Sequence, residues 1–395
     1  MISEKMKPMV SNNSVVREMF EEGTRLKKQY GAENVFDFSI GNPNVPAPQE
    51  VNQAIIDIVS SEPSLNVHGY MNNAGFEDVR QAVADSLNRR FQTKFSAHNL
   101  VMTVGAASGL NVVLKTILNP GDEVIVFAPY FLEYKSYVAN YDGVLVTVAP
   151  DTATFLPDMD VFTDSITQKT KAVIINTPHN PTGVVYSEDI IMAIANVLNH
   201  KQQEFGQEIY LISDEPYREL VYDQVQVPFI TKYYNNTFIA YSFSKSLSLP
   251  GERIGYLVIP DEMTDAETVI TAAGIANRIL GSVNAPSLIQ KVIGRCIDAK
   301  VDVAYYDRNR LYLYDMLTTL GFTCIKPQGA FYLFMKSPIE NEVEFCAEGK
   351  KHNILMVPGS SFACPGYVRI AYCVSYETIE RSKAAFTKLA ATYFS

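Results

Sequence analysis

Residues 99–118, NLVMTVGAASGLNVVLKTIL, join a short apolar run to a helical pattern that opens on small residues. Asn99 to Val104 reads as a strand, and from Gly105 to Leu118 apolar residues recur at helical spacing. The same unit returns downstream. Glu123 to Phe127 precedes FLEYKSYVAN, and Lys171 to Asn176 precedes EDIIMAIANVLNH after a loop. Strand alternating with helix predicts a mostly parallel sheet covered on both faces, an α/β fold. Apolar runs at Ile209 to Ser213, Thr237 to Tyr241 and Ile254 to Ile259 extend that sheet, giving one large domain over residues 48–285.

After that domain, CIDAKVDVAYYDRNRLYLYDMLTTL (296–320) has helical spacing without Pro or Gly, and predicts one long connecting helix with Gly321 as its C-cap. AFYLFM and YVRIAYCV then read as strands, and the final ERSKAAFTKLAATYF reads as an amphipathic helix. This is the pattern of a smaller α+β domain. An N-terminal helix capped near Ser14 and ended by Gly31 is expected to pack with it, so that residues 1–47 and 286–395 form the second domain.

Composition narrows the function classes. The 395 residues are 47% hydrophobic and 19% charged, which suits a folded chain and not a disordered one. Forty-three acidic residues against thirty-three basic ones give a net charge of −10, which disfavours nucleic acid and anionic lipid as partners. Nothing approaches the roughly eighteen consecutive apolar residues of a membrane span, and the first twenty residues lack the apolar core of a signal peptide. Five cysteines without CxxC spacing argue for reduced thiols, against a disulfide framework or zinc ribbon. A cytoplasmic protein without a metal site is expected.

In open parallel sheets ligands bind beyond the carboxyl ends of the strands. Four such ends carry unusual polar sequences: GAAS after Val104, TPHNPTG after Asn176, DEPY after Ser213 and SFSKSLSLPGER after Tyr241. Gly105, Ala106 and Ala107 open a helix, where small residues let backbone amides approach an anion; tight strand–helix packing would need them equally. No Walker loop is present. Asp214 is carried to the sheet edge, where its carboxylate needs a partner such as a protonated ring nitrogen, unless it caps a turn; Tyr217 turns a hydroxyl to the same place. Asn180 could donate its amide to a ligand oxygen or form an Asx turn. Lys245 follows an apolar strand, stands among Ser242, Ser244 and Ser246, and precedes Arg253 by eight positions. Burial beside an arginine lowers an amine's pKa and makes it a nucleophile toward an aldehyde, and Arg253 can take a phosphate bidentately.

Together these residues resemble the fold-type I pyridoxal phosphate enzymes, specifically the class I/II aminotransferases of the aspartate aminotransferase family. SxSK followed by GERIGY (242–256), NPTG (180–183) and an aspartate with a tyrosine three positions later carry the resemblance, which runs nearly end to end. It implies a large domain built on a mostly parallel seven-stranded sheet with a smaller α+β domain, and an imine link between Lys245 and pyridoxal 5'-phosphate. It further implies Asp214 on the pyridine nitrogen, Asn180 and Tyr217 on the phenolic oxygen, and Tyr130 stacked on the ring. Gly105, Ala106, Ala107, Ser242 and Arg253 would hold the phosphate, joined by Tyr70 from a neighbouring subunit, so a homodimer is implied. Gly41 and Arg369 match the substrate side, Arg369 forking onto an α-carboxylate. Ala106 and Ala107 lack the hydroxyls that many members offer the phosphate. Arg278 lies near where other members place an arginine for a second carboxylate, and His179 reads as a satisfied loop histidine.

The activity implied is transfer of an amino group from an L-amino acid to a 2-oxo acid, 2-oxoglutarate being the expected acceptor. Asp214 would keep the ring protonated, and Lys245 would carry the proton from Cα as base and then acid, with ping-pong kinetics. A carbon–sulfur β-lyase on the same fold is the alternative, because the same carbanion can eliminate. The ligand-binding half of a transcriptional regulator is a third, disfavoured because the resemblance begins within the first few dozen residues.

Overall fold

The computed structural model describes residues 1–11 and 15–394. Its twelve strands are β1 (Phe36–Asp37), β2 (Leu100–Thr103), β3 (Glu123–Phe127), β4 (Val144–Val148), β5 (Thr170–Asn176), β6 (Tyr210–Asp214), β7 (Thr237–Ser242), β8 (Gly255–Val258), β9 (Tyr332–Lys336), β10 (Ile354–Leu355), β11 (Val357–Pro358) and β12 (Tyr367–Ala371). Seven of them form the main sheet in the order β2-β8-β7-β6-β5-β3-β4. The pairings β3–β4, β3–β5, β5–β6 and β6–β7 are parallel, and β8 runs antiparallel to both its neighbours.

Both faces of this sheet are buried, and the pleat divides its side chains between two layers. Val101, Ala240, Ile212 and Ile174 meet the helices Gly105–Ile117 and Ala266–Asn277 on one face. On the other, Leu100 and Ile239 meet helices Gln49–Ser61 and Glu77–Phe91, while Val173 and Leu211 meet Glu188–Phe205. Each fully buried Val, Ile or Leu is worth about 1.5–3 kcal/mol relative to exposure, so the strand ends are held rigidly. The edge strand β4, VLVTV, is half exposed although four of its five residues are apolar.

A three-stranded antiparallel sheet, β11-β12-β9, packs with helices Val303–Thr319 and Tyr376–Ala391 around a second core of Tyr306, Leu313, Leu333, Ile370 and Phe386. The N-terminal segment joins this part of the chain, because β1 pairs in parallel with β10. The N-terminal helix runs Val15–Tyr30 and ends at Gly31, φ +87°; the expected cap at Ser14 lies outside the described residues.

One expectation is corrected. Residues 296–320 are not a single helix: Ser287–Cys296 ends, and a new helix starts at Val303. The Asp302 carboxylate accepts a hydrogen bond from the Tyr305 amide at 3.2 Å and caps the second helix, so the chain restarts there although neither Pro nor Gly interrupts it. The first helix packs Ile289, Val292 and Ile293 against Val51, Ala54 and Ile58 of Gln49–Ser61.

Candidate active site

The carboxyl ends of β2, β5, β6 and β7 lie along one edge of the sheet, because these strands share a direction. Each delivers a group named from the sequence. β2 runs into Gly105, whose backbone takes φ +79°; a Cβ there would meet the Arg253 guanidinium at 2.7 Å. Only glycine lets that arginine lie across the start of the helix. Arg253, itself left-handed at φ +53°, donates to the carbonyls of Val104 (3.3 Å) and Pro250 (3.0 Å) and reaches Ser244 Oγ at 3.5 Å. Ser242 ends β7, and its hydroxyl caps the following turn by accepting from the Ser244 amide at 3.1 Å. Ala106 is buried and Ala107 half-buried in the first turn of the helix.

The turn after β7 presents Lys245. Its Nζ donates to the Gly41 carbonyl at 2.8 Å and sits 5.3 Å from the centre of the Phe331 ring. Burial, assisted by the positive fields of Arg253 and Arg369, lowers its pKa to about 8. Asp214 ends β6 and is buried. Oδ2 accepts a hydrogen bond from the Tyr134 hydroxyl at 2.6 Å, whereas Oδ1 has no partner among the described residues. Burial raises its pKa to about 7; the Tyr134 bond opposes that rise and the nearby Glu215 charge adds to it.

From β5 comes a bracket that the motif reading did not single out. Asn176 donates from Nδ2 to the Asp214 carbonyl at 2.8 Å, and its Oδ1 accepts from the Asn180 amide at 2.8 Å. Asn180 then accepts from Arg369 Nη1 at 3.1 Å. Arg369, on β12, also donates from Nη2 to the Ser39 carbonyl at 2.7 Å and lies over the rings of Tyr332 and Phe362. Its Nε is buried without a partner among the described residues. Tyr332 meets Tyr217 hydroxyl to hydroxyl at 2.9 Å, and a Cβ on Gly41 would collide with the Tyr332 hydroxyl. One network thus links Asp214, Asn180, Arg369, Tyr217 and Gly41, with Lys245 tied to it through Gly41.

Tyr130 is buried, its amide bonded to the Phe362 carbonyl at 3.0 Å. His179 lies in the TPHNPTG loop with Nδ1 2.8 Å from Thr182 Oγ1, and burial lowers its pKa to about 4, so it is a neutral, internally bonded loop residue. Tyr70 stands apart from the network, 91% exposed, and Arg278 is exposed as well. Tyr134, Asn176 and Tyr332 are the site residues that the motifs missed. Asn176 closes a predicted strand and could have been noticed, whereas Tyr134 and Tyr332 look like ordinary core aromatics. A separate cavity of about 590 Å³ lies behind the Lys245 turn, lined by Phe243, Ser246, Arg218, Tyr241 and Tyr256; none of Asp214, Asn180, Lys245 or Arg369 faces it.

Among the described residues no helix is long and apolar enough to cross a membrane, and no cluster of three His, Cys, Asp or Glu side chains could hold a metal. Residues 33–386 match the family model described as aminotransferase class I and II. Two similar proteins are a probable aspartate/prephenate aminotransferase of Thermus aquaticus, 31% identical over 88% of this chain and 89% of that one, and a probable N-acetyl-LL-diaminopimelate aminotransferase of Bacillus subtilis, 30% identical over 88% and 87%. Among solved structures, an amino transferase from Eubacterium rectale superposes with a TM-score of 0.98 at 46% identity, covering 100% of both chains. The Thermus thermophilus aspartate aminotransferase with maleate superposes with a TM-score of 0.88 at 26% identity, covering 98% of this chain and 99% of that one. The chain therefore belongs to the aminotransferase class I and II family, and is a pyridoxal phosphate-dependent amino acid transaminase of fold type I.

Proposed function

We propose that the protein moves the amino group of an L-amino acid to 2-oxoglutarate, with pyridoxal phosphate held on Lys245. The observation that carries this is the unfinished bonding on one connected network of two buried atoms without a partner among the described residues, Asp214 Oδ1 and Arg369 Nε, beside the half-buried Lys245 amine, whose hydrogen bond goes to a backbone carbonyl. Buried polar groups are normally satisfied, so these fit a cationic ring nitrogen, a substrate carboxylate and an aldehyde in turn. The cradle at Gly105, with Ala106, Ala107, Ser242 and Arg253, suits the cofactor phosphate at a helix N-terminus. Tyr130 would cover the ring, and Asn180 and Tyr217 would hold its phenolic oxygen.

Bound there, the cofactor supplies an aldehyde that captures amines and a ring that takes up the electrons left when an α-proton departs. Arg369, sandwiched between Tyr332 and Phe362, binds the amino acid's α-carboxylate with Asn180 and the Gly41 backbone. That sandwich excludes water from one side and fixes the Cα–H direction. Lys245 would take the proton from Cα and hand it to the former aldehyde carbon within the same half-reaction, and carry it the opposite way on the 2-oxo acid; its pKa, lowered to about 8, leaves a far larger fraction of free amine near neutrality than an ordinary lysine has.

In the same reading the chain divides into a large domain at 48–285 and a small one formed by 1–47 with 286–395, and works in the cytoplasm as a homodimer. The exposed Tyr70 would reach the phosphate of a second copy. The similar proteins are named for aspartate and N-acetyl-LL-diaminopimelate, which are amino acids, and for prephenate, which is a 2-oxo acid, and this supports exchange between those two classes.

Lys245→Ala tests the reading. Turnover is expected to fall by at least about 10⁴-fold, the size of a lost acid–base and covalent group, and borohydride trapping on wild type should label the peptide containing Lys245. Normal turnover, or label elsewhere, rejects it. Pyruvate release from cystathionine without an oxo-acid acceptor would assign the chain to the lyases instead.

A further inference from the structure

We infer that Tyr134 is a positioning residue: its hydroxyl, bonded to Asp214 Oδ2, decides whether the proton shared by Asp214 Oδ1 and the cofactor's ring nitrogen sits on the nitrogen. The inference rests on the proposed seating of that nitrogen at Oδ1.

The geometry is specific. Asp214 is a buried carboxylate whose two oxygens are used differently, Oδ2 accepting from Tyr134 at 2.6 Å and Oδ1 being left open. The groups facing it are few. Helix Glu133–Asn140 contributes Tyr134 and Tyr137, and the chain beyond β6 contributes Glu215 and Tyr217. Glu215 is committed to Arg218, and Tyr217 to Tyr332. Tyr134 is the only side-chain donor to the carboxylate among the described residues.

A hydroxyl that donates to a carboxylate stabilises its anion over its acid. Without that donor, burial and the neighbouring Glu215 charge would act on Asp214 unopposed, and it would then compete for the proton on the ring nitrogen. The ring would become neutral and accept electrons less well, at no change in the number of protons present. Tyr134 is suited to the role because its own ionisation is suppressed, first by burial and then by the Asp214 charge, so it remains a donor at working pH. Edge-on packing against Phe131, with ring centres 5.7 Å apart, holds the phenol in place.

The test uses holoenzyme reconstituted with ¹⁵N-labelled pyridoxal phosphate. The ring-nitrogen shift is followed against pH in wild type, in Tyr134→Phe, and in protein carrying 3,5-difluorotyrosine, a stronger donor, at position 134. Loss of a hydrogen bond to a charged group should shift the N–H to O–H ratio of the shared proton by about tenfold or more, so the ring-nitrogen shift near pH 7, where the pair holds one proton, should move toward the unprotonated value in Tyr134→Phe and toward the protonated value with the fluorinated residue. Opposite shifts support the inference, since a packing role would not reverse sign with donor strength. An unchanged ring-nitrogen shift near pH 7 in either variant overturns it while leaving the assignment of Lys245 intact. Should Tyr134→Phe not fold, the fluorinated protein decides alone. A wild-type ring that is unprotonated near pH 7 would instead overturn the seating at Asp214 itself.

Discussion

Asp214 and Glu215 are adjacent buried carboxylates at the end of one strand, yet their surroundings are built on opposite plans. Glu215 is completed: Arg218 donates to both its oxygens, through Nη2 at 2.7 Å and through Nε, and Ser213 Oγ adds a bond at 2.8 Å. Arg218 spends its remaining donors on the Val227 and Pro228 carbonyls, and the two side chains are 3% and 1% exposed. Asp214 is left half-finished. A satisfied buried charge specifies and stabilises a fold, whereas an unsatisfied one is tolerated only where something else completes it. One carboxylate is therefore architecture, and its neighbour is a socket.

The sharpest way to break this contrast is to neutralise each carboxylate in the apoprotein. Glu215→Gln strands the buried Arg218 and should cost about 3–5 kcal/mol in denaturant unfolding. Asp214→Asn should do the reverse at alkaline pH. Burial raises the folded-state pKa of Asp214 to about 7, above the unfolded value near 3.8. The folded protein thus holds the extra proton, and this group's contribution to stability is fully present below about pH 4 and lost as pH rises through 7. Asparagine removes that loss but buries an unpaired amide, so the variant should be more stable than wild type by on the order of 1–2 kcal/mol at pH 8, with the advantage disappearing toward pH 4. Equal and pH-independent effects of the two substitutions would erase the distinction.

Asp214's side of that contrast was visible in the sequence, and Glu215's was not. Lys245, Asp214 and Asn180 were legible because parallel topology forces strand ends to one edge, and an apolar run followed by an unusual polar residue marks such an end. The antiparallel sense of β8 was not legible, since Gly255–Val258 carries the same apolar composition whichever way it runs. The restart at Asp302 was hidden because a capping carboxylate can end one helical register and begin another without Pro or Gly. Tyr134 and Tyr332 were missed for a different reason: their hydroxyls matter through partners about 80 and 115 residues away, and hydrophobic spacing does not report where a phenol points. Tyr70 is the converse case, since a sequence match pointed to it while a single subunit leaves it in solvent.

The same contrast recurs among buried arginines. Arg310 is fully engaged by Asp307, Asp223 and the Pro327 carbonyl, whereas Arg369 keeps Nε free. Arg369→Ala should raise KM for amino acid donors by about 10- to 100-fold, the loss expected for a hydrogen-bonded charge, in steady-state kinetics across a donor panel. Arg310→Ala should instead lower stability and leave KM unchanged. A KM effect from Arg310, or none from Arg369, would show that incomplete bonding does not mark the substrate side.

The smallest effect is expected at Arg253, the exposed member of this arginine series. Its protein partners are two backbone carbonyls and one long contact to the Ser244 hydroxyl, none of them charged. Removing it leaves no charge stranded, in contrast to Glu215, so Arg253→Ala should change apoprotein stability by less than about 0.5 kcal/mol. If this side chain is there for a phosphate, cofactor affinity should nevertheless weaken by about tenfold or more, read by equilibrium dialysis of pyridoxal phosphate, while pyridoxal without its phosphate binds both proteins alike. Equal retention of the phosphorylated form would make Arg253 a surface residue, and the left-handed backbone that places it across Gly105 would then have no ligand to serve.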